Sequence, residues 1–333
     1  MLVIEEPIKE DPIQEDPIQA TSPQQEGVDS CHVVLANGCR KSLQGLSNEE
    51  LHRLQWEQEQ QFARQILRSA KGSPGRNVVT SHAYDTICSI LAAQRNEPLQ
   101  PLVMGLGSRD VQFVYNLLKR QRRQGNERPR LFEVGYGSGM LLKKIQQRGF
   151  EVSGIEISST MREQALNLIG RHYSDRLLLG SLTELPTQRA SAKPSLIFWN
   201  DVFEHICPDE IHDYLKSIHR LLAPGGSLVT ITPNWLLRPM DVTGDFCPAR
   251  TTARGLHLKE YRLREVAQLL QQAGFEQVAT PLLVTKKRLL TAGHGLRSWK
   301  QLAEPWLDRL PVRLAHLACK GLGLSYTIAR KGA

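Results

Sequence analysis

Five residues of this 333-residue chain, Glu133, Gly135, Gly137, Gly139 and Glu156, stand at spacings that suit a nucleotide-like ligand. They lie in LFEVGYGSGMLLKKIQQRGFEVSGIEIS, residues 131–158. An apolar run ends in an acid, a glycine loop with Tyr136 inside it follows, then an amphipathic helix and a second apolar run ending in Glu156. Glycines let the backbone turn sharply and approach a ligand closely, and the helix N-terminus offers free N–H groups. Glu156 lies 17 residues past Gly139, about where a βαβ unit places the acid that grips a ribose diol.

Two cofactor classes share that layout. A dinucleotide fold uses G-x-G-x-x-G over a pyrophosphate; here the third glycine comes one residue early, position 140 is Met, and Glu133 would repel a pyrophosphate. An acid at that place suits a cationic ligand instead. E-x-G-x-G-x-G resembles the first motif of class I S-adenosylmethionine (SAM) methyltransferases. Further segments resemble that family in order: PSLIFWNDVFEHI with its Glu204-His205 pair, IHRLLAPGGSLVTITPN, HLKEYRLREVAQLLQQAGFEQV and SYTIARK. Together they cover roughly residues 129–333.

The resemblance implies SAM as cofactor and assigns roles residue by residue. Gly135, Gly137 and Gly139 are expected beside the methionine moiety, Glu133 against loop amides or the ligand ammonium, and Glu156 on the ribose hydroxyls. Ser181 stands where the family usually has the acid that bonds adenine, so adenine contacts are expected to lean on Ile157 and Leu182 as well. Asn200 and Asp201 end the fourth strand, next to the transferred methyl. His205 and His257 are the candidate bases, with packing and loop ordering as their respective plainer roles. No metal site is implied: the acids of catechol-type enzymes are not evident, and neither N-P-P-aromatic nor Pro-Cys nucleic-acid methylase signatures occur.

Positioning these residues requires a sheet. Strands are expected at 130–134, 151–155, 176–179, 195–199, 226–231, 275–283 and 324–330, with helices at 138–148, 159–170, 209–222 and 260–273. The alternation predicts an α/β, doubly wound, Rossmann-like sheet of seven strands, mostly parallel; the resemblance adds an antiparallel last strand. Before it, a capping box at Ser47 and Glu50 opens a helix ending near Gly72-Ser73-Pro74-Gly75. Residues 81–94 form a second helix, and Ser108 caps a third. Residues 31–128 therefore read as a helical cap on the substrate side of a 129–333 core. An insertion at about 284–323 carries helices near 298–308 and 312–322. Its Leu302, Trp306, Leu310, Leu314 and Leu317 share an apolar face, whose favoured reading is packing on the core rather than contact with a membrane or lipophilic substrate.

Charge is uneven. Residues 1–28 carry −6 in a proline-phased acidic repeat, read as a disordered tail over 1–30, and residues 281–333 carry +8. The basic residues are not interleaved with aromatics as in single-strand binders, so a nucleic-acid partner is not expected. Six cysteines show no C-x-x-C pair or zinc spacing, no leader or membrane span is evident, and a cytoplasmic protein is expected. The function that follows is SAM-dependent methyl transfer to oxygen or nitrogen of a small, possibly lipophilic metabolite. A tRNA or protein methyltransferase and a catalytically silent SAM-binding protein are the alternatives, and a nicotinamide oxidoreductase comes last. Oligomeric state is not legible.

Overall fold

The apolar run 196–199 and the segment 131–134, apolar but for Glu133, become strands buried on both faces, and the rest of the sheet grows from them. The computed structural model describes residues 32–95, 107–185, 193–285, 289–291 and 298–333; the acidic segment 1–30 lies outside these. A hairpin of β1 (His32–Val34) and β2 (Arg40–Ser42) comes first, then α1 (Asn48–Arg68), α2 (Pro74–Gln94) and α3 (Ser108–Arg123). The core follows as β3 (Arg130–Val134), α4 (Met140–Gln146), β4 (Glu151–Glu156), α5 (Ser159–Ile169), β5 (Leu177–Leu179), β6 (Leu196–Asn200), α6 (Ile211–Leu221) and β7 (Ser227–Ile231). It is completed by α7 (Thr243–Phe246), α8 (Leu263–Gln272), β8 (Gln277–Ala279), β9 (Leu283–Val284), β10 (Leu289–Leu290), α9 (Ser298–Leu307), α10 (Val312–Leu322) and β11 (Tyr326–Arg330).

Seven strands form one sheet in the order β5-β4-β3-β6-β7-β11-β8. Those from β5 to β7 are parallel, and β11 runs antiparallel to both its neighbours. The expected Rossmann-like sheet is present. Its order reverses between β3 and β6, so their carboxyl ends, Glu133–Val134 and Asn200, open the crevice where such sheets bind ligands. Apolar residues at 211, 215 and 218 of α6 and 266 and 270 of α8 cover one face. Helices α3, α4 and α5 cover the other, through Val114, Leu118, Leu142, Ile145 and Leu166. Helix α3, read from sequence as part of the cap, is thus a layer of the core.

The cap proper is β1, β2, α1 and α2, whose Leu51, Leu54, Phe62, Ile66, Ile87 and Ile90 form a cluster of their own. Arg76 anchors it: the guanidinium, 4% exposed, reaches Asp209 at 2.8 Å and Glu210 at 3.1 Å. Helix α2 begins at Pro74, earlier than the expected residue 81, because Ser73 accepts a bond from the Arg76 amide and proline suits the first helical position. Ser108 is the first residue of α3 and not its cap; Asp110 instead accepts the Gly107 amide at 3.2 Å. The hairpin at 32–42 gave no readable pattern, and the strand expected at 275–283 is only three residues long.

The insertion forms its two helices where expected, but its apolar face turns outward. Leu302 is 72% exposed, Trp306 66%, Leu314 52% and Leu317 68%. Polar residues hold the inward side. Glu304 accepts the Asn234 side-chain amide at 2.8 Å and the Leu263 amide at 3.0 Å, while the buried Lys300 amine bonds the Pro281 and Leu322 carbonyls. Those bonds fix the rotation of α9 and leave its apolar stripe unpacked.

Candidate active site

The β3–α4 loop earns its shape from glycine. Gly135, Gly137 and Gly139 have φ of +67°, +52° and +79°, left-handed values that side chains disfavour. A Cβ at Gly139 would lie 2.9 Å from that of Ala165, so this glycine seats α4 against α5 and is not on the cavity wall. A Cβ at Gly137 would meet nothing within 4 Å, because the loop there faces open space. That space is a cavity walled by Glu133, Gly135, Tyr136, Gly137, Glu156, Ile157, Ser181, Leu182 and Asn200, which brings together every expected cofactor residue except Gly139.

Two buried carboxyls dominate it. Glu156 is held by three backbone amides, of Gly137 and Ile157 at 2.8 Å and of Ser158 at 3.0 Å. Burial raises its pKa despite those donors. A carboxylate has about four acceptor positions, so three donors leave capacity for a hydroxyl. Glu133 is 6% exposed, and its Oε2 has no hydrogen-bond partner. Burial, then the neighbouring Glu156, pushes its pKa well above the ordinary carboxylate value. An orphaned buried carboxyl is costly unless a donor or cation completes it. The ammonium and sulfonium of SAM are such cations, and the residues present fit that cofactor.

At the adenine end, Ser181 Oγ lies 2.9 Å from both Thr183 Oγ1 and Tyr214 Oη, so its hydroxyl is already engaged. Tyr214, from α6, lines the cavity and carried no sequence signal. The roof is α2. Ser81 Oγ donates to the Ile157 carbonyl at 2.9 Å, and Asp85 accepts from Ser158 Oγ at 2.6 Å and Ser159 Oγ at 3.0 Å. Asp85 therefore clamps the cap to the start of α5, directly after Glu156. Sequence alone cannot show a bond across 73 residues.

Beside the first cavity lies a second, of about 700 Å³. Tyr84, Cys88, Asp201 and His205 line both. Its other walls include Glu59 from α1, Met240, Asp241 and Asp245 before and within α7, and His257. Asp201 has φ +60°, an uncommon value for a residue with a side chain. Such backbone strain concentrates at functional sites. Beside it, Glu204 is fully buried, with Oε2 accepting from Thr232 Oγ1 at 2.8 Å. Burial and then Asp201 push the Glu204 pKa well up, while Asp201 stays low despite burial, through its bond with Glu204 and the nearby His205 and His257.

The two histidines meet with ring centroids 4.7 Å apart. His205 Nδ1 lies 2.8 Å from the Leu256 carbonyl. A carbonyl only accepts, so Nδ1 carries the proton and Nε2 keeps its lone pair. Burial and then His257 lower the His205 pKa to about 4. His257 goes the other way: burial opposes charge, but the Glu260 carboxylate at 3.0 Å, with Asp241, outweighs it and raises the pKa. Glu204, His205 and His257 also offer atoms within 4.8 Å of one another, of types that ligate cations. Each already has a protein partner for its other polar atom.

Residues 109–280, just over half the chain, match the family model described as a methyltransferase domain. The chain belongs to this family. It is of the class I, SAM-dependent kind, and SAM is the family's cofactor. An uncharacterized methyltransferase, GK2543 of Geobacillus kaustophilus, is 35% identical over 100 residues, 30% of this chain and 44% of that protein. CalS10, a SAM-bound amino pentose methyltransferase from Micromonospora echinaspora, is similar at 23% identity and TM-score 0.31, over 38% of this chain and 50% of that one. Magnesium protoporphyrin IX methyltransferase from Synechocystis, solved with SAH, is similar at 16% identity and TM-score 0.39, over 68% and 89%. The chain thus spans half or less of the length of the first two relatives it matches.

Proposed function

We propose that this protein transfers the methyl group of SAM to an oxygen or nitrogen of a small metabolite held in the second cavity. The observation that carries this reading is the shared wall: a cavity with an unpaired Glu133 and an amide-held Glu156 has Tyr84, Cys88, Asp201 and His205 in common with the second cavity. When bound, SAM supplies an electrophilic methyl that needs no further activation. The protein's work is then alignment, which the fixed loop of 135–139 and the clamped α2 roof provide. A neutral hydroxyl or an ammonium acceptor must also lose a proton. His205 Nε2 is unprotonated at neutral pH and lines both cavities, so it is the group we assign to receive that proton. Ionised Asp201 stabilises the imidazolium that results, and the His257 ring, held by Glu260, packs edge-on against it.

Incubation of the protein with methyl-labelled SAM and fractionated cell extract, with products identified by mass spectrometry, tests the reading. Label in a low-molecular-mass product is expected. Label only in tRNA or protein, or in no fraction, would overturn it.

A further inference from the structure

The outward face of the insertion, among the described residues, carries large apolar side chains that methyl transfer does not use. Trp299, Leu302 and Trp306 follow helical spacing along α9, and Leu310, Leu314 and Leu317 continue the stripe through the turn and along α10. Their exposures run from 37% to 72%. Monomeric proteins rarely leave so many large apolar side chains together in water. Exposed cations border the stripe: Arg309, whose guanidinium sits 4.6 Å over the Trp306 ring, Arg313 and Lys320. The whole segment 281–333 carries ten Lys/Arg against two acids.

Charge chooses among occupants. A second copy of this face would set cations against cations, which weakens association. Tryptophan and leucine flanked by Lys and Arg are the composition of helices that lie in the interface of an anionic bilayer. The face is also tied to the acceptor cavity. Arg238 Nη1 bonds Asp308 at 3.1 Å and Arg250 bonds the Leu310 carbonyl, so α9 and its turn brace the segment whose Met240, Asp241, Val242 and Asp245 wall that cavity. Met240 and Phe246 of this segment are themselves 46% and 42% exposed.

We propose that the α9–α10 face docks on an anionic lipid surface, and that the methyl acceptor is a lipophile drawn from that surface into the adjoining cavity. The second clause rests on the transferase reading; the first stands without it.

The test uses the full chain and sedimenting vesicles, either of phosphatidylcholine alone or of equal parts phosphatidylcholine and phosphatidylglycerol. Binding is expected to the mixed vesicles, weakened by salt as lipid electrostatics require. Leu302→Glu with Leu317→Glu is expected to lower it about tenfold or more, since both apolar insertion and charge are lost. Both positions are exposed, so folding is expected to persist by circular dichroism; Arg313→Glu with Lys320→Glu gives a second pair that leaves the apolar stripe intact. SAM titration of each variant is expected to match the parent, separating loss of docking from loss of the cofactor site. No vesicle binding, binding by both variant pairs equal to the parent's, or a dimer in sedimentation velocity that the Leu pair abolishes would overturn the docking surface. Labelled product that partitions into water rather than the lipid extract would overturn the acceptor class while leaving the transferase reading intact.

Discussion

Replacing Glu133 by Gln separates stability from cofactor binding. In the ligand-free protein the Glu133 carboxyl is buried with one oxygen unpaired, and its pKa lies well above 4.5. Folding just above pH 4.5 therefore keeps neutral a group that ionises readily in the unfolded chain. That costs about 1.4 kcal/mol for each pH unit above the ordinary carboxylate pKa over which the folded group stays protonated. Gln has no proton to retain, so Glu133→Gln is expected to stabilise the free protein and raise its Tm by a few degrees, at about 1.4 °C per kcal/mol for a chain of this length. The sign follows from linkage: a carboxyl whose folded pKa is raised contributes stability at low pH and loses it as pH climbs above 4.5. The Tm gap should therefore widen from pH 4.5 to 7.5 and vanish below. With SAM the ranking reverses, because the amide oxygen can accept from an ammonium but lacks the carboxylate's negative charge. Losing a charge-assisted bond of about 1.5–3 kcal/mol raises Kd roughly tenfold to 150-fold. Differential scanning fluorimetry across pH and isothermal titration measure the two effects. A pH-independent Tm gap, or SAM affinity within about threefold of the parent, would refute the reasoning.

Gly137→Val forces a branched side chain to φ +52° and into the cavity; SAM binding is expected to fall by about a hundredfold or more while the circular dichroism spectrum is kept. Asp85→Ala removes the acceptor of two hydroxyls and one amide, and is expected to cost about 1–3 kcal/mol and speed hydrogen exchange in α2, with α4 unchanged. His205→Ala is expected to lower turnover roughly a hundredfold with SAM affinity nearly constant; because its pKa is about 4, parent turnover should show no His205 titration above pH 6. His257→Asn removes a stabilisation present below the ordinary histidine pKa and lost as pH rises through the raised one, so the Tm difference from the parent should shrink toward alkaline pH.

The cofactor half of the site was legible because it is local. One βαβ unit of 28 residues, 131–158, carries the glycines, Glu133 and Glu156, and backbone geometry dictates where they go. The sheet was legible for a similar reason: strands buried on both faces read as apolar runs, and β3 to β7 fall within a residue or so of expectation. What failed depends on contacts distant in sequence. Tyr84 and Asp85 join the site only because Arg76 and the Ser158–Thr160 turn hold α2 over it. Glu59 of α1 reaches the Leu256 amide across 197 residues. The insertion misled for a different reason. Periodicity locates an apolar stripe but not which way it faces, and there the buried Lys300 and Glu304 decided the rotation. His257 read as a candidate base with loop ordering as its plainer role; it bonds Glu260 and also walls the second cavity.

The central claim is that Glu133 and Glu156 line a pocket shaped for a cationic sulfur nucleoside. Isothermal titration of the full chain with SAM in buffers of different ionisation enthalpy addresses it most directly. The account predicts one-to-one binding with proton release at about pH 5, where burial keeps the Glu133 carboxyl of the free protein protonated and the bound cation ionises it. No binding heat at protein concentrations of about 100 μM, above most enzyme KM values, or binding without any proton exchange, would contradict it.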